Sequence, residues 1–172
     1  SLSAHFSMFD DESLLIVHET TWDAPNLLTK VDVNNGEIES TAISTSYRDI
    51  EFINTDDASI TVAFVTTEPK YLNISYINEA LTTTTPFIEI QKNGFGSDIS
   101  LVSDTKDLVT LTVFDYEAPQ SLLFYNFDRS NNFTHTEPTS VDIDVGYVSE
   151  SFRLNDGSIL AMARKEYDSI GA

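Results

Sequence analysis

The feature that most constrains this chain is a spacing. A polar turn at Asp11, Asp56, Thr105 and Asp156 is followed 11 residues later, every time, by Trp22, Thr67, Tyr116 and Tyr167, and the turns recur at intervals of 45, 49 and 51 residues. Between the two markers always runs an apolar segment, at 14–17, 60–65, 108–114 and 159–163. A period of about 40–50 residues that holds several short β-rich runs belongs to the blade of a β-propeller. Helical arrays need a 3.6-residue rhythm of apolar positions, and no window of about 11 residues carries one.

Each period reads as up to four strands. The first has strands at 6–9, 14–17, 27–33 and 37–43, with an acidic turn at Asp10, Asp11 and Glu12 and a second turn at Trp22, Asp23, Ala24 and Pro25. Asn35-Gly36 between its last two strands is a hairpin signal, because a type I′ turn needs positive φ at both central residues. The second period predicts strands at 49–53, 60–65, 71–77 and 86–90, with the threonine run 82–85 standing where the tight hairpin was. The third predicts 99–102, 108–114 and 122–127, and a last strand between 133 and 143; the fourth supplies 148–154 and 159–163. The predicted units are 5–44, 49–91, 98–144 and an incomplete 148–172, all in a single β domain. The second strand of every unit is apolar at consecutive positions rather than alternating, as in a strand squeezed between two neighbouring sheets.

The segment Val31, Asp32, Val33, Asn34, Asn35, Gly36, Glu37 resembles the strand-Asp-x-x-x-Gly hairpin of quinoprotein-like and related bacterial β-propeller repeats, and Asn155, Asp156, Gly157, Ser158, Ile159, Leu160 resembles their turn into the second strand. The likeness covers these two segments closely and the rest of the chain as a pattern. It implies an all-β fold, a partial β-propeller of about three and a half four-stranded blades. A two-sheet β-sandwich is the alternative, since short strands at regular turn spacing suit it as well. Three and a half blades do not close a ring. The chain is therefore expected to be a fragment of a longer one, or to self-associate through its open sheet edges.

Charge narrows the partners. Against 28 acidic residues stand 9 basic ones, a net charge of -19 that repels nucleic-acid phosphates and anionic lipid headgroups. The longest apolar run, 159–163, is far shorter than the 18 or more residues of a membrane span, so no membrane insertion is expected. With no cysteine, disulfide, zinc-thiolate and thiol-nucleophile chemistry are closed to it. No basic, apolar leader opens the chain at Ser1, which suits a cytosolic protein or one whose leader has been removed; the bacterial resemblance favours an extracellular or periplasmic location.

The most repeated polar feature is the turn after the second strand, with Trp22 and Asp23, Glu68, Tyr116 and Glu117, and Tyr167 and Asp168. In a propeller these turns share one face of the disc. Aromatic rings there stack on sugars or cations while carboxylates accept hydrogen bonds from hydroxyl or ammonium groups. The same residues also serve simply to shape and staple the turn. Calcium is the one cofactor with candidate ligands: Asp142 and Asp144 ahead of Gly146, and the oxygen series Asp128, Ser130, Asn132. Gly94, Phe95, Gly96, Ser97 lacks the third Gly of a dinucleotide loop, and His18-Glu19 lacks the second His of a zinc protease. The expectation is a non-catalytic binding or scaffolding module that contacts a glycan or a protein; a fragment of a propeller-type glycosidase or lyase is the alternative.

Overall fold

The computed structural model describes residues 4–8, 12–18, 27–42, 47–54, 60–66, 71–77, 81, 83–92, 94–103, 105, 107–117, 119–143 and 147–164. Among them the fold is all-β: fifteen strands form four antiparallel sheets, each built from consecutive strands. The first sheet runs β1 (Ala4–Met8), β2 (Ser13–His18), β3 (Leu27–Asp32), β4 (Ile38–Ala42) in that order. The second is β5 (Tyr47–Asn54), β6 (Ile60–Thr66), β7 (Tyr71–Ile77), β8 (Thr83–Gln91). In the third, β9 (Phe95–Ser103), β10 (Leu108–Asp115) and β11 (Ser121–Asp128) are followed by β12 (Thr134–His135) and β13 (Thr139–Asp142), which both pair with β11. The fourth holds β14 (Tyr147–Arg153) and β15 (Ile159–Arg164).

Local chemistry accounts for the hairpins. Between β3 and β4, Asp32 Oδ1 accepts from the amides of Asn34 (2.8 Å) and Asn35 (3.3 Å), and Gly36 N donates to Asp32 O at 2.9 Å. Only Gly36, at φ +74°, takes the left-handed conformation. The turn falls where Asn35-Gly36 predicted it, but it is a longer loop closed by one left-handed glycine rather than a type I′ pair. Between β14 and β15 the same device recurs: Gly157 has φ +87°, and Asp156 Oδ1 accepts from Ser158 N at 2.9 Å and from Ser158 Oγ.

Two predicted features differ. Of the threonine run, Thr83 to Thr85 are strand rather than turn, since β8 begins at Thr83, in keeping with the preference of β-branched side chains for extended backbone. The last strand of the third unit is split into β12 and β13 at 136–138, where Pro138 has no N–H to offer a ladder; just upstream, Asn132 and Phe133 both adopt left-handed φ (56° and 53°) after the 3-10 turn Arg129–Asn131 and redirect the chain. Phe133 is thereby sunk into the core, its ring 4.4 Å from that of Tyr76 on the second sheet.

Successive sheets meet through their first strands: β1 lies against β5, β5 against β9, and β9 against β14. The main core fills the joint between the second and third sheets, with Ala63, Leu72 and Ile74 facing Leu111, Phe127 and Phe133. A smaller cluster, Phe114 and Leu122 with Ala161, joins the third sheet to the fourth. β10 is buried on both faces from Val109 to Asp115. Its face toward the fourth sheet is not wholly apolar, however. Ser151 Oγ lies 3.1 Å from Thr112 Oγ1, Ser151 N donates to Ser100 Oγ at 2.8 Å, and Thr110 Oγ1 donates to Asn126 Oδ1 at 2.7 Å. These buried hydroxyls stay in the joint because each has a partner there.

Candidate functional site

An antiparallel meander of four strands returns to the end it started from, so the turn between second and third strands and the link into the next sheet emerge together. In the third sheet the register shows this directly: Phe95 lies opposite Asp115, Asp115 opposite Ser121, and Ser121 opposite Asp142. Tyr116 and Glu117, taken from the repeated turn, and Asp142, taken from the calcium pattern, thus fall at one end of one sheet.

The centre of that end is Asp115. The residue is 4% exposed and its carboxylate is ion-paired with Lys92, which arrives from the end of β8 and so spans the joint between second and third sheets. Asp115 Oδ1 also accepts from Glu117 N at 3.0 Å, folding the turn back over the carboxylate. Tyr116 N donates to Gly94 O at 2.7 Å. Beneath the turn the two glycines matter for space. A methyl group on Gly94 would overlap Asp115 Oδ1, and one on Gly96 would come within 3.0 Å of Tyr116 Cε2. The Tyr116 ring is braced edge-on against Phe114, centroids 4.7 Å apart at 83°, and remains 37% exposed beside the exposed Glu117. Chemically this is a held aromatic surface next to a free-standing carboxylate, suited to receiving hydroxyl or ammonium groups.

Asp115, Lys92, Gly94 and Gly96 were not singled out as site residues from the sequence. The signal was there in Gly94-Phe95-Gly96, two glycines flanking an aromatic one strand away from an aromatic-acid turn, but its meaning depends on the β9–β10 pairing. Of the other predicted residues, Trp22, Asp23, Glu68, Asp144, Tyr167 and Asp168 lie outside the described residues. Asp128 caps the 3-10 turn, its Oδ1 accepting from Ser130 Oγ (2.6 Å) and Asn131 N (3.2 Å), so the Asp128, Ser130, Asn132 series is folded as a capped turn. Asp142 is exposed on β13. Among the described residues no group of three or more His, Cys, Asp or Glu is placed to hold a metal ion, and no helix is long and apolar enough to cross a membrane. A separate open concavity of about 450 Å³ lies at the other end of the first sheet, between Ser13, Lys30, Asp32, Glu37, Ile38 and Glu39.

The carboxylates reach deeper than the surface. Burial pushes the Tyr125 hydroxyl up from 10.0 to about 12, with the nearby charges of Asp115 and Glu137 adding to it. An unfolded tyrosine ionises near pH 10. Between pH 10 and 12 the unfolded chain gives up this proton while the folded one keeps it, so stability is full below pH 10 and falls as pH rises toward 12. The loss is at most about 2 kcal/mol, because water still reaches the edge of the site. Urea midpoints at pH 9 and pH 11.5 should separate more in the parent than in Tyr125→Phe; equal separation would exclude Tyr125 as the source.

No protein-family model matches this chain, and no curated protein sequence matches it.

Proposed function

We propose that the chain is a partial β-propeller that works as a non-catalytic binding or scaffolding module, contacting a glycan or a protein through the end that carries Tyr116 and Glu117. The propeller reading is supported by four sheets of consecutive strands whose first strands follow one another from β1 to β5 to β9 to β14. In a propeller those first strands are the inner ribbons around the axis. A sandwich gathers its strands into two facing sheets, whereas here they divide into four.

The observation that carries the binding role is the braced, 37% exposed ring of Tyr116 beside Glu117. A turn that needed its aromatic only as a staple would bury it. The -19 charge adds a long-range pull on cationic partners, is indifferent to uncharged glycans and repels polyanions. An extracellular or periplasmic setting fits a cysteine-free, strongly acidic module of this kind.

The test is a glycan array run beside an array of cationic peptides, with the best binder then titrated calorimetrically. Tyr116→Ala is expected to weaken that binder about tenfold, the equivalent of an aromatic contact of about 1.4 kcal/mol. Glu117→Gln should weaken a cationic binder more than a neutral glycan. Affinity unchanged in both variants would remove this turn from the function.

A further inference from the structure

Tyr116 and Glu117 sit side by side on bare backbone. A Cβ at Gly94 would lie 2.6 Å from Glu117 Cγ and one at Gly96 3.0 Å from Tyr116 Cε2, so the carboxylate stem and the ring each rest over one of two glycines set two residues apart. Two residues of extended chain span about 7 Å. The ring and the carboxylate therefore flank one spot, from which a cation within about 6 Å of the ring also reaches the carboxylate. Lys92, the lysine brought to this end, does not fill that spot, because its ammonium is held by the Asp115 carboxylate, whose side chain is 6% exposed. The field beneath the turn is negative all the same, since the charges of Asp115 and Glu137 both push the Tyr125 hydroxyl up.

We propose that this turn receives a lysine or arginine side chain from a basic polypeptide segment, its ammonium or guanidinium lying between the Tyr116 ring and the Glu117 carboxylate. This deepens the binding role proposed above and rests on it. The choice of a cation over a sugar follows from what each returns to Glu117. An uncharged sugar strips water from the carboxylate and gives back hydroxyl hydrogen bonds of about the same worth. A cation gives back charge-assisted bonds to the carboxylate and attraction to the ring face as well. The choice of a polypeptide over a small amine follows from shape. A small molecule is held by enclosure, with most of its surface buried. Here both side chains are exposed on a turn, which covers the tip of one side chain and leaves the rest of the affinity to a wider contact. The -19 charge draws such a basic segment in from a distance, and salt screens that pull.

Calorimetric titration of the chain tests this with a short Gly/Ser peptide carrying lysines, the same peptide carrying arginines, the same carrying glutamines, spermidine, and a neutral oligosaccharide. The lysine and arginine peptides should bind and the glutamine peptide should not, with affinity falling as salt rises past about 0.1 M. Tyr116→Ala should weaken the basic peptides about tenfold and Glu117→Gln about threefold. Glu117→Gln, at an exposed position and with the shape of the side chain kept, carries the test even where Tyr116→Ala disturbs the fold. Glu39→Gln, exposed on β4 of the first sheet, removes the same charge elsewhere and should leave binding unchanged. Equal losses in Glu39→Gln and Glu117→Gln would mean that only net charge is felt, and would overturn the inference. Spermidine bound as tightly as the peptides overturns the polypeptide as the source of the cation. An oligosaccharide or glutamine peptide bound through Tyr116, with the basic peptides ignored, overturns the cation and leaves the binding role standing. Silence from every probe also overturns the inference, and the glycan array described above then decides the binding role separately.

Discussion

Phe127→Ala is expected to lower stability by about 3–5 kcal/mol, a large share of the about 5–15 kcal/mol that holds a domain folded. Phe127 is 0% exposed on β11, within the joint between second and third sheets. Its ring lies 6.1 Å from Tyr125, nearly parallel, and 5.3 Å from His135. Truncation removes the transfer free energy of the ring and leaves a hole that two hydrogen-bonded sheets cannot collapse to fill. The measurement is urea denaturation, where the midpoint should fall with little change in slope. Val33→Ala, at a residue 52% exposed, serves as the comparison and should change stability by about 0.5 kcal/mol or less. If the two substitutions cost the same, cohesion does not reside in that joint.

How much of this was legible beforehand divides by range. The second strands were legible in position, because runs such as Leu14 to Val17 have no polar interruption and a spacing that repeats, but the expected burial on both faces holds for β10 and not for β2, where burial alternates, or β15, where Leu160 and Met162 are 50% and 44% exposed. The Asp32–Gly36 and Asn155–Gly157 turns were legible too, since an Asx side chain and a glycine shape them within five residues. What failed depended on partners far along the chain. Thr83 and Thr84 look like a loop until β7 is placed beside them, after which they lie opposite Ile77 and Tyr76. The bend at Asn132 and Phe133 carries no glycine; it holds because Phe133 gains a fully buried place against Tyr76, which offsets the unfavourable φ. Thr110 and Thr112 interrupt an otherwise apolar strand, and their burial beside Asn126 and Ser151 is set by partners on other strands. The candidate site splits the same way: Tyr116 and Glu117 stood out by repetition, whereas Lys92 and Asp115, which hold them, are 23 residues apart and meet only across the joint between two sheets.

Gly94→Ala is the substitution expected to strike fold and site together, at a cost of about 3 kcal/mol, the upper end of what overpacking brings. The reason is space rather than torsion. The new methyl would overlap Asp115 Oδ1 and lie 2.6 Å from Glu117 Cγ and 3.2 Å from Glu117 Cβ. A surface side chain would swing aside, but Asp115 is 4% exposed, paired with Lys92 and bonded to Glu117 N. Either the carboxylate leaves its cation or the Tyr116 N to Gly94 O bond opens, and both outcomes shift the Tyr116–Glu117 turn. Gly94→Ala should therefore weaken any ligand held by that turn as well as lower the unfolding midpoint. Gly36→Ala offers the contrast: at φ +74° with nothing within 4 Å it should cost about 1 kcal/mol and leave binding intact. The mechanism is checked by a double-mutant cycle with Asp115→Ala. Alone, that change leaves Lys92, 34% exposed, in reach of water. Combined with Gly94→Ala it removes the overlapping atom, so the double variant should be more stable than the sum of the singles by more than about 1 kcal/mol. Additive costs would mean that the glycine is not there to make room for the buried carboxylate.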